Sequence, residues 1–160
     1  MNAVAETVST DGILNQMLTF ALAGESYGVD IQRVQEIRGW SPVRHIPEAP
    51  NHVLGVLDLR GTIVPIVDLR TMIGLSGMEA TTTTVIIVLS VETASGSRLY
   101  GIVVDRVSDV ADVNEKSLRP VPAMGSAGAT DYLRGLAQMG DSMVLLLDID
   151  KLLGGGGIAF

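Results

Sequence analysis

The pattern of apolar and polar residues is clearest in Gly55–Leu69, where two apolar runs flank the dipeptide Arg60-Gly61. Because Arg60-Gly61 is a short turn signal, the pattern predicts a β-hairpin with Arg60 at its tip. The second arm, residues 62–68, is apolar on both faces, which predicts a strand covered on both sides, as in a small closed barrel. Pro65 has no backbone N–H, so it should face away from a ladder partner or lie at an edge or a bulge.

The same pattern occurs again in Gly135–Ile149, and the two copies align so that Asp68 corresponds to Asp148. A second pair of matching segments precedes the hairpins, because Tyr27-Gly28-Val29 corresponds to Tyr100-Gly101-Ile102. In both halves the order is strand, turn, Tyr-Gly strand, bridging segment and hairpin. The repeat predicts an internal duplication of one small β unit.

The bridging segment of the first half has a helical pattern. Two predicted strands precede it and end at Asp30, which is a suitable N-cap for a short helix over Ile31–Ile37. In that helix Val34 and Ile37 would share one face. The loop that follows, Gly39–Pro50, contains three prolines and is expected to be extended, with stiff corners.

The second half contains another predicted hairpin, a bridging segment and the second copy of the central hairpin. Residues 76–84, rich in Gly and Thr, form the natural boundary between the two halves. We therefore expect one domain over residues 15–153, a flexible N-terminal arm over residues 1–14 and a flexible tail over residues 154–160, where four glycines follow one another.

The composition limits the classes of function. With 47% apolar and 18% charged residues, the 160-residue chain can bury a core. A net charge of −7 argues against nucleic acid or an anionic membrane as partner, because both attract basic surfaces. The lack of cysteine excludes disulfides, thiolate catalysis and cysteine-bound metals. No signal peptide and no apolar run long enough to span a bilayer are visible, so we expect a cytoplasmic protein without membrane insertion.

Few residues offer the chemistry of an enzyme. His45 and His52 are the only histidines, and loop histidines without a metal are the favoured interpretation. Asp68 and Asp148 could form a pair of acid and base groups. Each of them, however, ends a strand before a helical turn, where an aspartate commonly caps the helix, so capping is favoured. With no phosphate-binding loop and no nucleophile elbow, we expect no catalysis and no cofactor.

A few charges stand beside apolar residues. Glu36 and Arg38 flank Ile37, and Arg60 lies at the predicted hairpin tip. Spacing alone does not distinguish a solvated surface from a binding surface at these positions. A duplicated β scaffold with isolated charges beside apolar residues is nevertheless typical of a binding module rather than an enzyme.

Three strings, Val34–Gly39, Leu59–Leu69 and Gly101–Asp105, resemble the CheW-like domain family of chemotaxis coupling proteins. Later motifs of that family resemble Ser117–Pro120 and Tyr132–Leu136. The resemblance runs from Met17 to Leu153, nearly the whole chain. The family often has Asn where this sequence has Asp58, a departure that affects the local hydrogen bonding of the Arg60 turn.

The resemblance implies an all-β fold of two intertwined SH3-like barrels with five strands each. It also implies a non-enzymatic adaptor that couples transmembrane chemoreceptors to the chemotaxis histidine kinase. The partners would be the regulatory domain of the kinase CheA and the cytoplasmic tip of methyl-accepting chemoreceptors. The adaptor would be a monomer when free, would be recruited to membrane-associated receptor arrays and would alternate with the kinase in rings there.

The resemblance also assigns residues to two contact surfaces. The receptor tip is expected in a groove between the subdomains, at positions Val34, Glu36, Ile37, Arg38, Val43 and Arg60. The kinase is expected at Val29, Asp30 and Ile31. Two alternatives stay open: an adaptor of the same fold in a non-motility chemosensory pathway, and a small β-barrel hydrolase with Asp68 or Asp148 as its base.

Overall fold

The computed structural model describes residues 14–75, 77, 79–114, 118–120, 132–139 and 141–154. The predicted arm, apart from Leu14, and the predicted tail, apart from Gly154, lie outside these residues. Leu14 itself begins the first strand.

Ten strands make up most of the described chain. They are Leu14–Leu22 (β1), Glu25–Asp30 (β2), Val34–Gly39 (β3), Val53–Leu59 (β4), Thr62–Asp68 (β5), Val85–Thr93 (β6), Gly96–Val104 (β7), Arg106–Asn114 (β8), Leu133–Met139 (β9) and Ser142–Leu147 (β10). Three short helical segments connect or end them: a 3₁₀ turn at Ile31–Arg33 (the bridging turn), a one-turn α-helix at Leu69–Met72 (α1) and a π-helical turn at Asp150–Gly154 (the C-terminal turn). Among the described residues, no helix has the length and apolarity needed to cross a membrane.

The strands form two five-stranded sheets, each of which mixes the two halves of the sequence. The first barrel has the strand order β8-β1-β2-β10-β9, and the second has the order β3-β6-β7-β5-β4. Each repeat therefore gives its first hairpin, β1–β2 or β6–β7, to the barrel that is built on the other repeat. This exchange confirms the expected intertwining. It also means that residues 76–84 separate the repeats but not the barrels.

Each exchanged hairpin joins its sheet through a pair of parallel strands, called a seam below: β2 with β10 in the first barrel and β7 with β5 in the second. Gly28 of β2 lies opposite Leu146 of β10, and Gly101 of β7 lies opposite Ile66 of β5. A Cβ atom on Gly101 would be 2.6 Å from Ile66 Cδ1, and one on Gly28 would be 2.9 Å from Leu146 Cδ2. The repeated Tyr-Gly motif therefore provides the small residue that lets each seam close.

Within the described residues, the apolar side chains form one large core and two small ones. The two faces of β6 illustrate the division, because Ile87 and Leu89 enter the large core while Ile86 and Val88 enter a small one. The large core, called the central core below, contains Leu18, Phe20, Leu22, Val29, Val53, Val67, Leu69, Ile87, Leu89, Val91, Tyr100, Ile102, Val104, Leu147, Ile149, Leu152 and Leu153. Since these residues come from both sheets, the central core joins the barrels into one unit.

The prediction of a helix from Ile31 to Ile37 is wrong over most of its length. Only Ile31–Arg33 is helical, and residues from Val34 onward form strand β3 against β6, with Ile37 opposite Ile87. Val34 and Ile37 lie opposite Leu89 and Ile87, so they do share a face, but it is a strand face across a β-bulge and not the face of a helix. The cap is confirmed, because the Asp30 carboxylate accepts the Gln32 N–H at 2.9 Å. A distant strand partner here outweighs the local pattern.

The central hairpin is confirmed, with one correction in its second arm. Val64, Ile66 and Val67 are buried, but Ile63 is 59% exposed, so the outer half of β5 is not covered on both sides. Strand β5 pairs with β7 only from Ile66 onward. Pro65 lies opposite Val56 of β4, whose N–H and carbonyl bond to Arg44, and just outside the stretch paired with β7, so its missing N–H costs no ladder hydrogen bond.

Candidate partner-binding site

A small cluster of charges joins strand β3 to the tip of the β4–β5 hairpin. Glu36 Oε1 accepts a hydrogen bond from Arg60 Nη2 at 2.9 Å, and Glu36 Oε2 lies 3.5 Å from Arg38 Nη1. Glu36 thus stands between two guanidinium groups, and the structure brings together the three charged residues predicted for the receptor surface. The Arg60 side chain is 81% exposed, so most of its hydrogen-bonding capacity faces outward.

The backbone of the hairpin tip explains why Arg60 points outward. Arg60 and Gly61 both have positive φ angles, 53° and 90°, as a two-residue hairpin turn requires. The Asp58 carboxylate accepts the Gly61 N–H at 2.8 Å and fixes this turn. Aspartate therefore supplies the acceptor at the position where the family often has asparagine.

The apolar residues predicted beside these charges do not form a single trough. Ile37 is 43% exposed on β3 and is available to a partner. Val34 is half-buried against the central core, and Val43 is half-buried against the small core of the second barrel. We call Glu36, Ile37, Arg38 and Arg60 the β3 ridge; Val34 and Val43 are partly buried and lie against the two cores.

The residues predicted to face the kinase differ in their accessibility. Val29 is completely buried in the central core, so it offers no surface to a partner, and its assignment is corrected. The alternation of β2 explains this result, because Val29 points inward between the two sheets. Asp30 and Ile31 are both half-buried, Asp30 as the cap of the bridging turn and Ile31 against the central core.

An apolar groove on the second barrel escaped the sequence analysis. It has a volume of about 490 Å³, and its lining includes Ile46, Val56, Ile63, Pro65, Leu99 and Tyr100. The signal was present in the alternation of β5, because Val64 and Ile66 fill the small core and leave Ile63 and Pro65 on the opposite face. With Ile63 59% exposed, this Ile63 groove is a second surface suited to a protein partner.

The two aspartates considered as catalytic groups are caps. The Asp68 carboxylate accepts the Arg70 N–H at 3.1 Å and the Thr71 hydroxyl at 2.8 Å. Asp148 accepts the Lys151 N–H at 3.1 Å at the corresponding position of the second repeat. In the described part of the chain, no group of three His, Cys, Asp or Glu side chains is placed to hold a metal ion.

Two ion pairs hold the connections between the barrels. Arg33 of the bridging turn contacts both carboxylate oxygens of Asp150, at 2.9 Å and 2.6 Å. Arg70 of α1 contacts both oxygens of Asp105, which connects β7 to β8, at 3.1 Å and 2.9 Å. Hydrogen bonds from the two arginines lower the pKa of each aspartate, against a smaller opposing effect of desolvation.

Comparison with known proteins gives consistent results over most of the chain. A family model described as the CheW-like domain matches residues 16–155. Chemotaxis protein CheW from Klebsiella aerogenes is 42% identical over 151 residues, which cover 94% of this chain and 89% of the relative. Chemotaxis protein CheW from Rhizobium meliloti is 36% identical over 137 residues, which cover 86% of each chain.

A solved structure extends the likeness to the fold. The crystal structure of the scaffolding protein TtCheW from Thermoanaerobacter tengcongensis matches with a TM-score of 0.78 at 28% identity. The match covers 92% of this chain and 93% of that one. The expected architecture of two intertwined SH3-like barrels is thereby confirmed.

Proposed function

The chain belongs to the CheW-like domain family, and on this basis we propose that it is the adaptor that couples transmembrane chemoreceptors to the chemotaxis histidine kinase CheA in signalling arrays. Family membership also makes the chain a scaffold protein rather than an enzyme. The hydrolase alternative is therefore dropped. Its two candidate bases, Asp68 and Asp148, are engaged as helix caps.

The observation that carries the proposal is the ridge on β3. Ile37 is an exposed apolar residue on the edge strand β3, its sequence neighbours Glu36 and Arg38 flank it, and Arg60 pairs with Glu36, so one negative and two positive charges lie along this edge. The cytoplasmic tip of a chemoreceptor is a helical hairpin, and a helix docks on an apolar strip with a few orienting charges at its rim. The ridge offers this combination, so we assign the receptor tip to it.

The kinase requires two contacts if adaptor and kinase alternate in a ring. Each adaptor then touches two copies of the kinase regulatory domain through two different surfaces, because a ring closes through heterologous contacts. Asp30 and Ile31 provide one surface. The Ile63 groove provides the other, since Ile63 is the most exposed of the large apolar side chains that the structure describes.

A titration of the adaptor tests the proposal. At fixed receptor and kinase, the receptor-controlled kinase activity should rise to a maximum and then fall as the protein is added. The fall arises because excess adaptor occupies receptor and kinase separately and leaves fewer bridged complexes. It should begin above the weaker dissociation constant, expected to be micromolar, or about −8 kcal/mol. A curve that stays flat far above both measured constants would contradict bridging.

The variant Ile63→Glu, in the same titration, tests the second kinase surface. A buried carboxylate at an apolar contact is strongly unfavourable, so the maximum should be lower, while the affinity for the receptor tip alone stays unchanged. Because Ile63 is exposed, the melting temperature of the variant should match that of the wild type. An unaltered maximum would remove the groove from the proposal and leave the receptor ridge in place.

A further inference from the structure

The bridging turn has an anchor outside its own backbone. Arg33 reaches across to the C-terminal turn, where its guanidinium forms two hydrogen bonds with Asp150, at 2.9 Å and 2.6 Å. The same guanidinium donates to the Ser90 carbonyl at 2.9 Å, and Asp150 Oδ1 also accepts the Glu92 N–H at 2.9 Å. Since Ser90 and Glu92 belong to β6, the pair ties the bridging turn to both the C-terminal turn and the second barrel.

The bridging turn has little other support. It is only three residues long and contains no fully buried side chain, and its one apolar residue, Ile31, is half-buried against the central core. Its own hydrogen bonds are the Asp30 cap on the Gln32 N–H and a bond from the Val34 N–H to the Ile31 carbonyl. A segment with so few buried contacts opens readily unless another group holds it. The bidentate pair with Asp150 is therefore the main polar constraint on its orientation.

We propose that Asp150 is a positioning residue. By binding Arg33, it fixes the orientation of the bridging turn, so that Asp30 and Ile31 present a fixed surface to the partner. The identity of that partner as the kinase rests on the proposed function. The C-terminal turn, which belongs to neither predicted contact surface, thereby becomes part of the docking site. A bidentate arginine pair suits this task because its planar geometry fixes direction as well as distance.

The other junction between the barrels supplies a matched control. Arg70 and Asp105 also form a bidentate ion pair, through Nε and Nη2 of the arginine, and Asp105 Oδ2 likewise accepts a backbone N–H, that of Ala23, at 2.9 Å. This pair holds the connection between β7 and β8, not the bridging turn. Changing either aspartate to asparagine keeps an oxygen for the backbone N–H and removes the ion pair, so Asp150→Asn and Asp105→Asn are equivalent perturbations at different places.

Amide hydrogen exchange and kinase affinity, measured on the full chain, test the proposal. In Asp150→Asn, the amides of Gln32 and Val34 should exchange about tenfold faster than in the wild type, because the turn opens locally. The dissociation constant for the CheA regulatory domain should rise about tenfold. Asp105→Asn should lower the melting temperature by a similar amount and change neither quantity. Arg33→Lys, which keeps the charge but not the bidentate geometry, should behave like Asp150→Asn.

The outcomes separate the proposal from the function on which it rests. Unchanged exchange at Gln32 and Val34 in Asp150→Asn would overturn the positioning role, whatever the kinase does. Equal losses of kinase affinity in Asp150→Asn and Asp105→Asn would overturn it too, because the effect would then follow general stability. If the wild type itself bound no kinase, the proposed function would fail, while the exchange measurement would still decide whether Asp150 holds the turn.

Discussion

Strands β3 and β8 occupy equivalent places in the two repeats but carry different side chains. Each follows a Tyr-Gly strand and lies at an edge of its sheet, and Ile37 on β3 and Val110 on β8 are both 43% exposed. On β3, Glu36 binds the guanidinium of Arg60. On β8, the corresponding Asp109 accepts the N–H of its own neighbour, Val110, at 2.8 Å. One edge thus carries an ion-paired ridge, and the other carries a carboxylate engaged with its own backbone.

The difference shows which parts of the sequence specify the fold and which specify recognition. The features that build the scaffold recur in both repeats: the glycines of the seams, the aspartate caps and the arginine–aspartate pairs at the barrel junctions. Of the charges beside the exposed apolar residue, the carboxylate recurs as Asp109, but its ion pairs with arginine do not recur among the described residues. A duplicated fold with one modified edge can therefore bind different partners on its two sides.

The largest expected effect tests whether the scaffold really is shared. Gly28→Ala and Gly101→Ala should each reduce the free energy of unfolding by about 1–3 kcal/mol, because the added methyl group overpacks a closed seam. Gly101→Ala should cost more, since its Cβ would approach both Ile66 and Ile86 closer than 3.0 Å. Chemical denaturation measures both losses.

Gly39→Ala is the control for this experiment, because a Cβ at that position on β3 meets no atom within 4 Å. Its effect should stay within about 0.5 kcal/mol. If only one seam glycine proved sensitive, the two repeats would not share a scaffold requirement, and the comparison of β3 with β8 would lose its basis.

The sequence revealed the features that depend on neighbouring residues. The turn at Arg60-Gly61 and the caps at Asp68 and Asp148 follow from short-range chemistry, and all are present. The repeat was visible because its glycines and caps recur at fixed positions. The charges of the ridge were also identified, although spacing alone left their solvated interpretation open.

Features that depend on distant partners were missed. Strand β3 was predicted as a helix because its pairing with β6 joins residues far apart in the sequence, such as Ile37 and Ile87. The exchange of hairpins was implied only by the family resemblance, since a repeat does not reveal which copy pairs with which. The burial of Val29 and the exposure of Ile63 depend in turn on how the sheets stack.

A smaller effect sharpens the comparison of the two edges. Ile37→Glu should weaken binding of a receptor cytoplasmic fragment by about 2 kcal/mol, the size of a hot-spot loss. Val110→Glu has the same exposure and should change that binding by less than about 0.5 kcal/mol. Both variants should keep the wild-type melting temperature within a few degrees. Equal losses at the two positions would show that receptor recognition does not distinguish β3 from β8.

The smallest expected effect concerns the two junctions between the barrels. Each junction has one arginine–aspartate ion pair, but the arginine and the aspartate exchange places between the two, a difference called the reversed polarity below. In the first repeat the arginine lies between the second and third strands, at Arg33, and the aspartate, Asp150, follows the hairpin of the other repeat. In the second repeat the aspartate, Asp105, lies between those strands, and Arg70 follows the hairpin. If the polarity is immaterial, the two pairs should contribute equally to stability and respond alike to pH.

The sign of the pH response follows from the lowered pKa of both aspartates, which the hydrogen bonds from Arg70 and Arg33 chiefly cause. A depressed pKa in the folded state means that the unfolded chain takes up protons first as the pH falls. The contribution of each pair is therefore complete above the ordinary aspartate pKa, about 4, and is lost as the pH drops further through the folded value.

Because the pairs are partly exposed and screened, each should contribute at most about 1 kcal/mol. Denaturation between pH 7 and pH 2 should show a shallower acid-side slope for Asp105→Asn and Asp150→Asn than for the wild type, by similar amounts. A change in slope for only one variant would mean that the reversed polarity matters and that the junctions are not equivalent.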